Sequence, residues 1–166
     1  MFLIKKDNEI EKLIEITKSN SGVSGPELCE THIKLGKLLA KTIKIDPKNT
    51  TVVAIMRGGM FFAQGIYFEL GCKFSIFNPK LEEYRRPDTK YVILVDSVIN
   101  TGKSILPYID KDTIVACNII NEKAVEKFEC ELYAVRISSN SFVGKNVKVQ
   151  NANIGPDTTS RLFNKI

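Results

Sequence analysis

The sequence predicts an α/β fold, a mostly parallel sheet flanked by helices, and three observations predict it. From residue 51 onward, short runs rich in β-branched residues alternate with helical stretches of about three turns. The run Tyr91-Val-Ile-Leu-Val95 is the strongest strand pattern in the chain and ends abruptly in a polar loop. Strands alternating with helices at this spacing favour parallel pairing, with both faces of the sheet covered.

In chain order, the stretch up to about residue 20 reads as a helix, with Ile10, Leu13, Ile14 and Ile16 as its apolar positions. A second helix opens at Ser24, where Glu27 three positions later suggests a capping box and Pro26 suits a first turn. Leu28, Leu35, Leu39 and Ile43 recur at helical spacing, and Asp46-Pro47 marks the stop. Thr51–Met56 follows as a buried strand, broken by Arg57-Gly58-Gly59, and Met60–Leu70 reads as a helix. Further strands are expected over Lys73–Phe77, Tyr91–Val95, Thr113–Ile119 and Glu131–Ile137, with helices over Ser104–Ile109 and Glu122–Phe128. Asn78–Lys90 is polar, carries Arg85 and Arg86, and reads as a mobile flap or a solvated loop. The organisation expected is one domain over 1–166, with N-terminal helices (1–45), an α/β core (46–137) and a C-terminal segment (138–166).

At 166 residues, with 43% hydrophobic and 26% charged positions, the chain is long enough to bury a core without disulfides or metals. No apolar run approaches the ~20 residues that span a bilayer, and the first residues lack the order of a signal peptide, so a cytoplasmic location is expected. Cys29, Cys72, Cys117 and Cys130 are scattered without a C-x-x-C pair, which argues for reduced thiols and against a structural zinc site or a secreted disulfide framework. The single histidine, His32, falls inside a helix, so a His-dependent triad has one candidate only and a multi-histidine metal site has none. The net charge of +5 suits an anionic ligand. Basic residues form no dense tract and do not interleave with aromatic ones, so nucleic acid is not the expected partner.

In open α/β sheets, ligands bind beyond the carboxyl ends of strands. Two such loops here carry unusual residues. In Arg57-Gly58-Gly59, paired glycines let the backbone approach a ligand and aim N–H groups at an anion, and the arginine can fork two phosphate oxygens. A plain strand-to-helix turn is the alternative for these residues. In Asp96-Ser-Val-Ile-Asn-Thr-Gly-Lys-Ser104, Thr101, Gly102 and Ser104 before a helix supply the parts of a phosphate cradle. The Asp96 carboxylate can accept from two vicinal hydroxyls, as a ribose offers, or can cap a helix. Ser97–Ser104 also matches a Walker A loop except that Ser97 replaces the first glycine, which makes a nucleoside-triphosphate hydrolase or kinase the rival. Against that rival stand the missing glycine, the acid that opens the loop, and the unassigned Arg-Gly-Gly turn.

Taken together, the two loops resemble those of the type I phosphoribosyltransferases. Val92–Ser104 is similar to that family's motif for 5-phosphoribosyl pyrophosphate (PRPP), and Ala54-Ile-Met-Arg-Gly-Gly59 is similar to its pyrophosphate loop. Within the family the likeness is closest to uracil phosphoribosyltransferases. It rests on Ser24–Thr42, on Leu132-Tyr-Ala-Val-Arg-Ile137 and on Asn153-Ile-Gly-Pro-Asp-Thr-Thr-Ser-Arg-Leu-Phe163.

The resemblance implies a type I phosphoribosyltransferase-like fold with a small C-terminal or hood portion. It implies transfer of ribose 5-phosphate from PRPP to a nucleobase, uracil-like by this likeness, with release of pyrophosphate. Arg57 would contact pyrophosphate beside Gly58 and Gly59, and Asp96 would hold the ribose hydroxyls. Ser97 would take the second acidic place of the motif, and Val98, Ile99, Asn100, Thr101, Gly102, Lys103 and Ser104 would hold the 5-phosphate. Asp157 would sit between ribose and base, with Ile154, Gly155 and Thr158 reading the base edge. Mg²⁺ would be held mainly through PRPP and pyrophosphate rather than by protein ligands, and a homo-oligomer, a dimer, is expected. Pro156 and Thr158-Thr159 depart from the uracil enzymes, and Pro156 removes a backbone donor. A PRPP- or nucleotide-sensing regulator of the same fold that binds RNA is the second class of reading.

Overall fold

The computed structural model describes residues 1–140, 143–152 and 154–166. Six strands form one fully parallel sheet: β1 (Phe2–Leu3), β2 (Thr50–Ile55), β3 (Lys73–Phe77), β4 (Tyr91–Ile99), β5 (Thr113–Asn121) and β6 (Glu131–Ser138). Their spatial order is β1-β6-β5-β4-β2-β3. The four central strands are runs of buried apolar residues rather than alternating ones, as a sheet covered on both faces requires.

One face is covered by α1 (Asn8–Thr17), α2 (Gly25–Ala40) and α3 (Met60–Leu70). Leu35, Leu39, Phe62 and Ile66 pack there on Val52, Ala54, Ile93 and Val95. Leu35 and Leu39 are wholly buried, each contributing roughly 1.5–3 kcal/mol by leaving water. α1 starts where the Asp7 carboxylate accepts from Ile10 N–H at 2.8 Å. The opposite face has a thinner cover. A 3₁₀ turn over Leu106–Tyr108, the one-turn helix α4 (Glu122–Val125), and Phe128 and Tyr84 from loops rest on Val53, Leu94, Val115 and Leu132.

Several expectations need correction. The Ser104–Ile109 helix is absent: Pro107 and a tight Gly102 turn leave only the three-residue 3₁₀ turn. The helix expected over Glu122–Phe128 stops at Val125. β4 continues through Asp96 to Ile99, residues that the sequence placed in a loop. Ser24 occupies the N-cap position of α2 but makes no capping bond, and its Oγ instead donates to Asn164 Oδ1 at 3.3 Å. α2 ends at Ala40, short of Ile43. His32 is buried and held by Leu28 C=O at 2.9 Å, and burial pushes its pKa down to about 4, so it is neutral. All four cysteines are free, with Cys29 and Cys117 buried. Among the described residues, no helix is long and apolar enough to cross a membrane.

The C-terminal segment holds three elements the sequence did not show: β7 (Val143–Lys145), β8 (Ile154–Pro156) and α5 (Thr158–Leu162). β7 and β8 form a separate two-stranded parallel sheet. Ser141, Phe142 and Asn153, the first residue of the C-terminal likeness, lie outside the described residues.

Candidate active site

The carboxyl ends of β2, β4, β5 and β6 open onto one cavity of about 800 Å³. The α1–α2 loop, Asn78–Lys80 and the C-terminal segment close it around the sides. β2 and β4 are neighbours, with Ala54 opposite Val95, so β2 ends at Ile55 beside Asp96 while β4 runs on to Ile99 against β5. This register brings the two motif loops together.

The contact between these loops is direct. Ser97 Oγ donates to Gly58 C=O at 2.6 Å. A Cβ on Gly58 would lie 3.2 Å from both Asp96 Oδ1 and Thr159 Oγ1, and one on Gly59 would collide with Val95 C=O at 2.2 Å. At Gly59 only glycine permits this approach of the β2 loop to β4. Gly59 also caps α3, its N–H bonding Ile55 C=O at 2.9 Å. The Met56–Arg57 peptide is cis. Arg57 is exposed to the cavity and its guanidinium lies 5.8 Å over the Phe163 ring.

Asp96 lies on the cavity floor. Burial raises its carboxyl pKa to about 7, against the opposing pull of the Ser97 and Val98 backbone N–H groups. Directly beside it on β5 sits Cys117, whose thiol burial drives far up and so keeps protonated.

Of the residues singled out in the sequence, Arg57, Gly58, Asp96, Ser97, Val98, Ile99, Asn100, Ser104, Asp157 and Thr158 line the cavity. Gly59, Thr101, Gly102, Lys103, Ile154 and Gly155 do not. Gly59 is the packing hinge just described. Gly102 adopts φ +81° and turns against Leu106 and Phe128. Thr101 C=O accepts from Lys127 Nζ at 3.2 Å, and Lys103 is exposed. The Walker A reading loses its lysine and its helix N-terminus by these placements. Asp157 caps α5, accepting from Ser160 N–H at 2.7 Å, so one of its oxygens is already engaged.

The 78–90 segment divides. Lys80 reaches the cavity. Arg86 is tied to Asp110 and donates to Thr89 C=O at 2.7 Å and Lys90 C=O at 2.8 Å, while Tyr84 packs on Phe77 and Tyr108 at 5.0 Å. Arg85 lines a smaller pocket with Glu82 and Glu83.

The sequence did not single out Thr17–Asn20, Asn121, Arg136, Ser138, Asn140, Gln150 or Arg161, all of which line the cavity, as do Pro156 and Thr159, marked only as departures from the uracil enzymes. The rule of carboxyl strand ends, applied to β5 and β6 as well, reaches Asn121, Arg136 and Ser138. Nothing local marks the others. Arg161 is 4% exposed and donates to Val23, Thr17 and Ile16 carbonyls and to Ser21 Oγ. Among the described residues lining the cavity, Lys18, Arg57, Lys80, Arg136 and Arg161 stand against Asp96 and Asp157 as the acids, a balance that favours an anionic ligand.

No protein-family model matches the chain, and no curated protein matches it by sequence. Solved structures do match. The AQ2163 protein from Aquifex aeolicus superposes with a TM-score of 0.63 at 20% identity, over 83% of this chain and 88% of that one. A hypoxanthine-guanine-xanthine phosphoribosyltransferase gives 0.51 at 14% identity, over 66% and 75%. A hypoxanthine-guanine phosphoribosyltransferase from Bacillus anthracis gives 0.50 at 15% identity, over 66% and 78%.

The fold is that of the type I phosphoribosyltransferases. In this phosphoribosyltransferase fold the Arg-Gly-Gly turn meets Asp96 of β4 over adjacent parallel strands. The two matched transferases are named for purine bases, and neither supports a special closeness to uracil enzymes.

Proposed function

We propose that the protein is a phosphoribosyltransferase that moves ribose 5-phosphate from PRPP to a nucleobase and releases pyrophosphate. One observation carries the reading. Two anion- and hydroxyl-binding loops from different strands, joined by the Ser97–Gly58 hydrogen bond, share one cation-lined cavity.

A bond forms between a ring nitrogen of the base and C1 of the ribose, and the C1–O bond to pyrophosphate breaks. The electron pair leaves with pyrophosphate, and the nitrogen's proton passes to solvent. C1 passes through an oxocarbenium-like state, so no protein nucleophile is needed, in keeping with the neutral buried His32 and the protonated Cys117. Catalysis then rests on orientation and on neutralising the departing charge.

Arg57 supports the pyrophosphate as a fork held over Phe163, with Lys80 near it. Asp96, ionised, accepts from the ribose hydroxyls. Val98–Asn100 and Ser104 frame the 5-phosphate, with backbone and hydroxyl donors in place of a helix N-terminus. Among the described residues, no group of three His, Cys, Asp or Glu side chains is placed to hold a metal. This donor set fits Mg²⁺ carried in on PRPP oxygens and waters, where it would offset charge on the leaving group. The C-terminal sequence likeness makes a pyrimidine such as uracil the acceptor to try first.

The test incubates the protein with Mg²⁺, PRPP and a panel of free bases and follows pyrophosphate release. One base should give product, and Arg57→Ala and Asp96→Asn should each slow it at least ten-fold, about 1.4 kcal/mol of barrier. Variant rates equal to wild type would remove the site assignment. ATP turnover without PRPP would replace the reading with a nucleotidase.

A further inference from the structure

Ser97 on β4 lies opposite Asn118 on β5, because the pairs Asp96 with Cys117 and Val98 with Ile119 bracket them in register. They sit about 4.8 Å apart at ordinary strand spacing. Both belong to the face that carries Ile93, Val95, Ile114 and Ala116, and they are 1% and 0% exposed. The Ser97 hydroxyl donates to Gly58 C=O at 2.6 Å, on its β2 side. On its β5 side, Asn118 Oδ1 is buried without a hydrogen-bond partner among the described residues. The orientation of that amide follows from His32. The ring is neutral and carries one proton, and its Nδ1 lies 2.9 Å from Leu28 C=O, which can only accept. Nε2 must therefore accept from Asn118 Nδ2 at 3.4 Å, and turning the amide over would set oxygen against that lone pair. The unpaired atom is the oxygen.

One hydroxyl proton thus has two acceptors, one on each side of β4. Given to Gly58, it ties the carbonyl of the Arg57-Gly58-Gly59 turn to the cavity floor but leaves Asn118 Oδ1 unpaired, which is costly in a buried site. Given to Asn118 through a change of χ1 rotamer, it satisfies that oxygen and frees Gly58 C=O, which lines the cavity and can bond water instead. The first arrangement holds the turn and the second satisfies the interior. An anion over the turn decides between them, because a free carbonyl facing it would repel negative charge. We propose that Ser97 is a positioning residue, a hydroxyl latch that holds the Arg57-Gly58-Gly59 turn in its pyrophosphate-binding form and releases it by turning to Asn118. Asn118 lies beneath the cavity and touches no ligand, yet it weakens PRPP binding, since only the latched fraction is competent.

This inference rests on the phosphoribosyltransferase reading, and the experiment separates the two. Binding of PRPP with Mg²⁺, and of ribose 5-phosphate, is measured by calorimetry. The proteins are the wild type, Ser97→Ala, and a double variant joining His32→Phe to Asn118→Leu, which makes both partners of the buried bond apolar. Ser97→Ala should bind PRPP about ten-fold more weakly, and the double variant about five-fold more tightly, opposite signs from neighbouring residues. Ribose 5-phosphate has no pyrophosphate for the turn to hold, so its affinity should stay within about two-fold throughout. Added to Ser97→Ala, the double change should bring no gain. A folded double variant that binds PRPP no more tightly than wild type overturns the inference, as do equal shifts for ribose 5-phosphate. If the double variant does not fold, crystals of the wild type decide. Ser97 should occupy two rotamers in the free protein and only the Gly58-facing one with magnesium pyrophosphate bound. One rotamer in both crystals, or an ordered water on Asn118 Oδ1 in both, overturns the latch and leaves the transferase reading standing. Failure of the wild type to bind PRPP removes the transferase reading first and this inference with it.

Discussion

The two sides of the cavity are built differently. The side over β2 and β4 comes from two short contiguous segments, Arg57–Gly59 and Asp96–Ser104, whose contacts are dictated by strand register and by backbone approach at glycine. The rest of the lining is assembled from residues far apart in sequence: the 17–20 loop, Arg136 near the end of β6, Gln150, and Thr158, Thr159 and Arg161, of which Thr159 reaches the Gly58 turn. Arg161 reaches 138 residues back to Val23, and Ser19 reaches Gln150. A local backbone device holds the first side, and side-chain hydrogen bonds across the chain hold the second. The first should therefore fail sharply on small changes, and the second should loosen by degrees.

The sharpest break is Gly59→Ala. The added methyl meets Val95 C=O at 2.2 Å and Ile55 C=O at 2.8 Å, both sheet backbone that cannot yield. Gly58→Ala meets only the Asp96 and Thr159 side chains at 3.2 Å, which can shift by tenths of an ångström. Gly59→Ala should cost on the order of 3 kcal/mol or more as an overpacking change, read by urea denaturation. Gly58→Ala should fold like wild type while PRPP turnover falls. Equal denaturation midpoints for the two variants would show that the loop is not wedged against β4.

This contrast also decides what could be read from the sequence. β2, β3, β4, β5 and β6 and the helices α1–α3 were legible because each carries its own local pattern, a short apolar run for the strands and helical spacing for the helices, and most sequence-marked residues of the first side reach the cavity because they directly follow such strands. The misread elements are those where a local signal lost to a neighbour. Ser104–Ile109 has a helical pattern, but Pro107 and the Gly102 turn against Leu106 and Phe128 leave too few residues for a helix. The Ser24–Glu27 pair looked like a capping box, but Ser24 is drawn off by Asn164. Arg161 stood inside a segment quoted for its likeness, yet its partners lie at Ile16–Val23, a pairing no local window contains.

Arg161→Ala sharpens the comparison from the second side. It removes a buried guanidinium that satisfies the Val23, Thr17 and Ile16 carbonyls and Ser21 Oγ. Hydrogen bonds to a charged group contribute about 1.5–3 kcal/mol, and truncation leaves those acceptors unpaired. A loss of roughly 2–4 kcal/mol is expected on that basis. The base KM should rise while PRPP affinity, set on the other side, stays near wild type. A parallel loss of PRPP affinity would mean that the two sides are not independent.

At Asp96, stability and function pull apart. Its folded pKa, about 7, is above the ordinary unfolded value near 3.9. Between those two values the folded chain holds a proton that the unfolded chain has released, so stability falls as pH rises through this window and levels off above it. Asp96→Asn removes the charge and with it that decline. At pH 8 the variant should melt higher than wild type, by about 2–4 °C for each kcal/mol regained, and near pH 4 the two should melt together. PRPP binding should show the opposite sign: wild-type affinity should strengthen from pH 6 to pH 8 as the carboxylate ionises to accept the ribose hydroxyls, and the variant should bind weakly and without that slope. A wild-type affinity flat across this range would mean that Asp96 is not the group that holds the sugar.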